Sequence, residues 1–218
     1  MFITLDGGDG CGKSTQIHLL AEKLQSQGHE VVCCRDPGST QLGDAVRNIL
    51  LNRQELSIAD MTEMFLFMAA RSQLLHEVIR PALATGKIVL SDRFLISTFV
   101  YQCHAGGVPA DVLQFISAAV VGETLPDLGI ILDIPYESAI QRVGSRAVPD
   151  RMECKGEEYH RRVREGFLKY AAAEPERYVV IDATPSPEEV ADAIWQIVSD
   201  KTIRKCQVIG GAQYRRAT

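Results

Sequence analysis

Residues 1–16 read MFITLDGGDGCGKSTQ, and this stretch decides the fold. A short apolar run over residues 2–5 leads into Asp6 and a glycine-rich turn, and Gly12-Lys13-Ser14 then opens a helical segment. The spacing fits G-x-x-x-x-G-K-[ST], in which main-chain N–H groups and a helix N-terminus surround phosphates. An ordinary glycine turn between a strand and a helix is the alternative, but it does not require these residue types in this order. The chain is therefore predicted to bind a nucleoside triphosphate.

Each residue type in this loop has a predicted role. Lys13 supplies a point charge to the β- and γ-phosphates, and the Ser14 hydroxyl ligates Mg²⁺. A carboxylate beside phosphates is repulsive, so Asp9 is expected to point toward a sugar hydroxyl or a cation, or into solvent. Cys11 lies where thiol pKa values fall, but a small filler is favoured over a redox switch, since no second cysteine is near it in sequence. The predicted nucleotide contacts here are Gly7, Gly8, Asp9, Gly10, Cys11, Gly12, Lys13, Ser14 and Thr15.

The composition restricts the class of protein. With 218 residues, 46% of them hydrophobic, the chain can bury one full core. A net charge of −5 and a pI near 5.6 argue against a nucleic-acid polymer as partner. We expect no signal peptide and no membrane span. The six cysteines lack paired C-x-x-C spacing, which favours reduced thiols in the cytoplasm. The five histidines form no metal-ligand pattern, so no structural metal is expected.

Five short apolar stretches alternate with helical patterns, which predicts an α/β fold with a five-stranded parallel sheet covered by helices on both faces. The predicted strands are residues 2–5, 31–34, 88–91, 128–134 and 178–182. The predicted helices span about 15–27, 44–51, 60–84 with Asp60 as cap, 97–103, from 109 onward, 136–142, 156–173 and, after a capping box at Ser186, up to about Ser199. We predict one domain over 1–200, with a flexible excursion at about 143–153. Residues 201–218 are basic and are predicted to be a flexible tail, with a role in assembly as the alternative.

Polar motifs follow the predicted strands, where ligands of parallel sheets bind. The motifs LDGGDGCGKST, RDPGST, FLFMAAR, SDRFLISTFVYQ, PDLGIILDI and DRME occur in this order. Together they resemble the thymidylate kinase family over residues 2–198, with the basic tail outside the resemblance. The resemblance implies a three-layer fold of the P-loop nucleoside-monophosphate-kinase type. It also implies phosphoryl transfer from ATP to dTMP with Mg²⁺ in a cytoplasmic homodimer that serves dTTP biosynthesis.

The acceptor pocket is predicted partly from spacing and partly from this resemblance. Phe67 and Arg71 lie one helical turn apart, so a ring can stack on a pyrimidine while a guanidinium donates to its carbonyl oxygen. The same spacing also fits a core Phe and a surface Arg, and Arg47 alone also fits a solvated helix residue. The resemblance implies the following dTMP contacts: Asp9 at the 3′-hydroxyl, Asp36, Pro37, Arg47, Phe67, Arg71, Arg93, Ser97, Thr98, Tyr101, Gln102 and Glu153.

Catalysis is expected to rest on fixed positive charge. Arg93 follows a strand and is predicted to clamp the acceptor phosphate, and Asp92 is predicted to hold Mg²⁺ through water or else to act only as a cap. Gly10 stands where one branch of the family has arginine. The positive charge that stabilises the transferring phosphoryl group is therefore expected from an arginine of the excursion. The candidates there are Arg142, Arg146 and Arg151, with Arg146 favoured and Arg142 equally compatible with a surface charge. The predicted catalytic set is Lys13, Asp92, Arg93, Arg146 and Arg151, and the remaining predicted ATP contacts are Arg142, Asp182 and Ala183.

Two departures from the family pattern fall in the RDPGST turn. Asp36 stands where glutamate is usual, and Ser39 replaces a glycine. Two other functions stay open from the sequence. A deoxynucleoside kinase also combines a P-loop with such motifs but takes an uncharged acceptor, and a nucleotide-gated switch would normally carry N-K-x-D, which this chain lacks. Thymine and uracil are not distinguished, because one methyl group is worth only about 1–3 kcal/mol.

Overall fold

The central sheet has five parallel strands in the order β2-β3-β1-β4-β5. The structure is a computed structural model that describes residues 1–144 and 150–214. The strands are β1 (Phe2–Gly7), β2 (Val31–Arg35), β3 (Ile88–Asp92), β4 (Leu128–Asp133) and β5 (Tyr178–Asp182). The register pairs Leu5 with Asp92 and Gly7 with Leu132, so the strand ends that carry the polar motifs meet at one edge. This confirms the predicted α/β fold.

Helices cover both faces of the sheet. They are α1 (Lys13–Ser26), α2 (Gln41–Asn52), α3 (Asp60–Leu74), α4 (Arg80–Ala84), α5 (Leu95–Thr98), α6 (Ala110–Val121), α7 (Tyr136–Val143), α8 (Glu157–Ala173) and α9 (Pro187–Tyr214). Short π-helical segments follow α3 (Leu75–Ile79) and α5 (Phe99–His104), and a 3₁₀ turn spans Glu153–Lys155. Across the described residues, no helix is both long enough and apolar enough to cross a membrane.

Alternation along β1 assigns its side chains to two cores. Ile3 and Leu5 pack with α1 and α9 residues such as Leu24 and Ile194. Phe2 points to the opposite face and packs with α3 and α6 residues such as Met64. The inner strands β1, β3 and β4 are buried on both faces, which explains their continuous apolar sequence.

Several predicted helix boundaries differ from the structure for identifiable reasons. Helix α2 starts at Gln41 rather than Asp44, because the Thr40 side chain caps it by accepting from the Gly43 N–H at 2.9 Å. Asp60 lies in the first turn of α3, and Ala59 is its N-cap. The long helix predicted to reach Ala84 is interrupted by a π segment just before Pro81, whose missing N–H cannot complete a regular α-helical ladder.

The capping box at Ser186 is confirmed, since Ser186 N–H donates to Glu189 Oε2 at 3.0 Å and Glu189 N–H donates back to Ser186 Oγ at 3.3 Å. The helix that follows it, α9, continues to Tyr214, well beyond the predicted end near Ser199.

Candidate active site

The glycine-rich loop between β1 and α1 forms the floor of a cleft of about 410 Å³. Gly7 has a φ of +138°, and a Cβ there would lie 2.4 Å from the main-chain oxygen of Leu132. Only glycine therefore allows the loop to approach β4 this closely. Gly10 and Gly12 also have positive φ, which turns the main chain toward the N-terminus of α1. Such a loop presents N–H groups to an anion.

Polar side chains with different roles line this cleft. The Lys13 side chain is buried and its Nζ lies 2.8 Å from the Gly8 oxygen and 3.5 Å from Cys11 Sγ. Ser14 Oγ donates to Asp92 Oδ2 at 3.1 Å. A hydroxyl and a carboxylate side by side are oxygen donors of the kind that Mg²⁺ prefers. Within the described chain no three His, Cys, Asp or Glu side chains converge as a metal cluster, so Mg²⁺ at this place would need the phosphates as further ligands.

A second cavity, of about 80 Å³, lies between α2, α3 and the segment after β3. Arg71 forms one wall and is almost entirely buried. Its Nε is 2.5 Å from Asp36 Oδ2, and its Nη2 donates to Thr98 Oγ1 at 2.7 Å. Its Nη1 has the thioether of Met68 as its hydrogen-bond acceptor, at 3.1 Å. Since sulfur is a weak acceptor, Nη1 retains capacity to donate to a ligand.

The Asp36–Arg71 pair is held by an unusual turn. The Asp36-Pro37 peptide bond is cis, as the family resemblance leads one to expect. Burial raises the pKa of Asp36 despite the neighbouring Arg71, and Asp36 Oδ1 has no hydrogen-bond partner among the described residues. The turn therefore places a fixed guanidinium and a buried carboxyl group at the base of the cavity.

Arg93 lies where the two cavities approach each other. Its Nη2 is 2.6 Å from Asp9 Oδ1, its Nη1 donates to the Gly7 oxygen at 2.7 Å, and its guanidinium lies 5.0 Å from the Tyr101 ring centre. Arg93 has a φ of +67°, a conformation that is costly for a residue with a Cβ and that recurs at functional sites. Burial alone would raise the pKa of Asp9, but Arg93 and Lys13 lower it below its ordinary value. Asp9 is thus an anion that fixes Arg93.

Four residues belong to the walls of both cavities: Asp9, Arg47, Arg93 and Asp150. Arg47 Nη1 donates to the Pro37 oxygen at 3.1 Å. Burial and the nearby cations Arg35 and Arg93 lower the pKa of Arg47, so several guanidinium groups lie close together at this boundary, beside the carboxylates of Asp9 and Asp150. Two arginines at a shared wall can bind an anionic group that extends from one cavity into the other.

A third, mainly apolar cavity of about 150 Å³ lies behind the loop, between β4, α7 and α8. Its walls include Ile134, Ile140, Phe167 and the stacked rings of Tyr136 and His160. Arg164 closes one side through a bidentate contact with Asp133 at 2.7 and 2.8 Å. Asp9 lies on its wall too, so this one residue lines all three cavities.

The structure brings most predicted site residues together. Every predicted acceptor residue except Glu153 lines the 80 Å³ cavity. Glu153 instead lines the other two cavities, and its Oε2 accepts from the Asp150 N–H at 3.0 Å. Arg142 donates to the Ala183 oxygen at 2.9 Å, and both residues line the cleft. Asp182 does not line it; its side chain is exposed and accepts from the Thr184 N–H.

Two predicted arginines of the excursion have different outcomes. Arg146 lies outside the described residues. Arg151 does not line the cleft; its side chain contacts Glu63 and donates from Nε to the Leu50 oxygen at 2.7 Å.

Sequence reasoning missed several residues of the walls. Arg35 lines the cleft and lies 3.6 Å from Asp44. Gly38 was a usable signal, since a Cβ there would lie 3.2 Å from Arg35 Nε. Asp150 and Met152 line the 80 Å³ cavity, and Glu63 lies behind its wall and accepts from Gln102. Arg35, Asp150 and Met152 lie within the RDPGST and DRME motifs, whereas Glu63 lies outside every motif quoted above.

Comparisons with known proteins agree with this geometry. The model of the family described as "Thymidylate kinase" matches residues 5–194. This chain belongs to the thymidylate kinase family. A thymidylate kinase of Trichlorobacter lovleyi is 42% identical over 89% of this chain and 94% of its own length. One of Deinococcus radiodurans is 42% identical over 92% of this chain and 97% of its own length.

The same family is found among solved structures. A crystal structure of thymidylate kinase from Ehrlichia chaffeensis has a TM-score of 0.74 and 32% sequence identity, and the match covers 91% of this chain and 98% of that one. The family consists of nucleotide-binding phosphotransferases, which accounts for two adjoining cavities on one P-loop fold.

Proposed function

We propose that this member of the thymidylate kinase family transfers the γ-phosphoryl group of ATP to the 5′-phosphate of dTMP. The single observation that carries the proposal is the shared wall of the two cavities, which contains Arg47 and Arg93. Direct phosphoryl transfer needs a donor and an acceptor phosphate side by side, with fixed positive charge between them. No covalent enzyme intermediate is required, because positioning and electrostatics supply the rate enhancement.

On the donor side, the loop N–H groups and Lys13 would bind the phosphates of ATP. Ser14 and Asp92 would hold Mg²⁺ together with those phosphates, and the ion would supply charge neutralisation on the β- and γ-oxygens. Arg142 lies against the loop after β5, where it is suited to contact the nucleoside portion.

On the acceptor side, the walls suit a pyrimidine deoxynucleotide. Phe67 offers a ring face, and Nη1 of Arg71 can donate to a base carbonyl oxygen. Asp9 is near the Tyr101 hydroxyl, at 3.4 Å, where a carboxylate can accept from a sugar hydroxyl. Arg93 and Arg47, which line both cavities, can then bind the acceptor phosphate.

We further propose that Arg146 stabilises the transferring group. The family resemblance assigns this role to an arginine of the excursion, and Gly10 leaves it unfilled by the loop. Arg151, bonded to Glu63 and Leu50, supports the acceptor side in the described structure.

The direct test is a coupled ADP-release assay with dTMP, dUMP, thymidine, CMP and AMP as acceptors. We expect rapid Mg²⁺-dependent turnover of dTMP. Turnover of thymidine but not dTMP would favour a deoxynucleoside kinase, and slow ADP release without acceptor dependence would favour a nucleotide-gated switch. The proposal favours dTMP over thymidine, because the Arg47 guanidinium is bonded to a neutral main-chain oxygen and an acceptor phosphate would supply it with an anionic partner.

We also propose that two copies associate in the cytoplasm. Phe65 on α3 and Phe115 on α6 are 52% and 79% exposed, and such rings are typical of an interface. Sedimentation of the wild type and of Phe115→Asp tests this, with a dimer expected for the former and dissociation for the latter.

A further inference from the structure

Glu63 is a buried carboxylate for which the proposed reaction has no role. It lies in the first turn of α3, and its side chain is 3% exposed. Burial by itself raises the pKa of a carboxyl group, but hydrogen bonds from Gln102 and Arg151 and the charge of Lys155 lower the pKa of Glu63 below its ordinary value. A buried anion of this kind is retained only where it is well bonded.

The partners of Glu63 come from two separate parts of the molecule. Gln102, on the π segment after α5, donates to its Oε1 at 3.0 Å and also lines the acceptor cavity. Arg151 contacts its Oε2, and Lys155 Nζ lies 3.5 Å from its Oε1. One carboxylate therefore joins the wall of the acceptor cavity to the segment that precedes α8.

That segment, residues 150–153, is docked by a set of further hydrogen bonds. Arg151 donates from its N–H to the Leu51 oxygen at 3.0 Å and from Nε to the Leu50 oxygen at 2.7 Å. Asp150 Oδ1 accepts from the Met152 and Glu153 N–H groups at 2.8 and 2.9 Å. Asp150 and Met152 face the acceptor cavity, and Met152 is buried. The charged residue that anchors the 150–153 segment is Arg151, which is held by Glu63.

We propose that Glu63 is a positioning residue that anchors Arg151 and thereby holds residues 150–153 as a wall of the acceptor cavity. This inference rests on the proposed function in taking the acceptor to be dTMP. Glu63 acts from behind the wall and does not touch the substrate. It fixes Gln102 and the 150–153 segment relative to each other, so acceptor binding depends on it more strongly than donor binding, which involves only Asp150 and Glu153 of this segment.

The first test is Glu63→Gln, which keeps the shape and removes the charge. We expect the KM for dTMP to rise about tenfold, the effect of losing a hydrogen bond to a charged group, and kcat to change much less. The KM for ATP should rise by a smaller factor, because only Asp150 and Glu153 of the segment line the cleft. Glu77→Gln is the matched control, because Glu77 is exposed and pairs locally with Gln73. Equal KM values for dTMP in Glu63→Gln and wild type would overturn the proposal.

A double-mutant cycle separates anchoring from a general loss of stability. Glu63→Gln and Arg151→Gln are each expected to raise the KM for dTMP about tenfold, and the double variant no further, because each single change already removes the same contact. Independent effects that multiply to about 100-fold would contradict the anchor. If Glu63→Gln does not fold, Arg151→Gln alone still tests the inference, since its KM for dTMP must rise while kcat is largely kept.

Hydrogen exchange gives a readout that needs no turnover. In Glu63→Gln the amides of residues 151–153 should exchange faster, while those of the buried strand β3 should not change. Wild-type protein that turns over no dTMP would refute the proposed function and leave this result intact. Unchanged exchange at residues 151–153 would refute the anchor even in an active kinase.

Discussion

The two proposed phosphate-binding sites of this kinase, the donor cleft and the acceptor cavity, are built from different parts of the residues that form them. The donor cleft is made chiefly of main chain, with glycines at positive φ and one lysine above the loop oxygens. The acceptor cavity is made of side chains that are distant in sequence, with Arg71 on α3 bonded to Asp36 after β2 and Arg93 after β3 bonded to Asp9. A main-chain site depends on a few glycines, whereas a side-chain site depends on buried partners that hold each arginine.

This difference predicts how each site fails. A side chain added to the glycine-rich loop should weaken the donor cleft by a steric clash. Loss of an arginine in the acceptor cavity should destabilise the protein by leaving a buried partner group without its counter-charge. Four experiments test or refine the comparison.

The largest effect is expected from Arg146→Ala, because neither the donor cleft nor the acceptor cavity supplies a positive charge that follows the phosphoryl group during transfer. The kcat should fall by about 10³–10⁵, with the Kd of dTMP unchanged. Steady-state kinetics and calorimetric titration measure the two quantities, and Arg162→Ala on the exposed side of α8 is the control. An unaltered kcat would show that the two fixed sites suffice.

The next effect concerns the two arginines of the acceptor cavity. Arg71→Met removes the partner of a fully buried carboxylate and should cost about 3–5 kcal/mol in the free energy of unfolding. Arg47→Met should leave stability within about 1 kcal/mol of wild type but raise the KM for dTMP, since Arg47 bonds a main-chain oxygen and lies at the shared wall. Urea denaturation distinguishes them, and equal losses of stability would contradict the assignment.

On the donor side, Gly7→Ala should destabilise the free protein by about 1–3 kcal/mol and weaken ATP binding, because the added Cβ meets the Leu132 oxygen. Gly28→Ala is the matched control. Its φ is +84°, but a Cβ there has open space, so only the backbone strain of about 1–2 kcal/mol applies. A larger loss at Gly28 than at Gly7 would refute the steric explanation.

The smallest effect is a pH dependence at Asp9. Its pKa is lowered in the folded state, so the stability it contributes is present above the ordinary aspartate pKa of 3.8 and is lost as the pH falls below that value. Asp9→Asn should therefore be less stable than wild type at pH 7, and the difference should shrink near pH 3. Denaturation curves at the two pH values test this, and a difference that grows on acidification would contradict it.

The proposed donor cleft is the part of the site that the sequence predicts most directly, because residues 7–15 are contiguous and their glycines set the turn of the loop. The sequence predicts the sheet for the same reason, since burial on both faces leaves a continuous apolar run in each strand. The predicted acceptor residues come from family motifs, and all of them except Glu153 line the 80 Å³ cavity, because the sheet order brings the ends of their strands to one edge.

The remainder depends on contacts that no local pattern contains. Glu63 meets Arg151 from 88 positions away, and from spacing alone Arg151 fits a catalytic arginine equally well. Arg35 lines the cleft beside Gly38, where a Cβ would lie 3.2 Å from its Nε. Asp182 ends its strand at the right edge, but its carboxylate satisfies the next turn instead of facing the cleft. Partner choice of this kind is fixed by tertiary packing.

Asp9 has a practical meaning for enzymology through its place on the walls of all three cavities. A variant at this position is expected to perturb the donor cleft, the acceptor cavity and the mainly apolar cavity behind the loop at the same time. Kinetic constants for one nucleotide therefore have little diagnostic value there unless those for the other are measured in the same preparation.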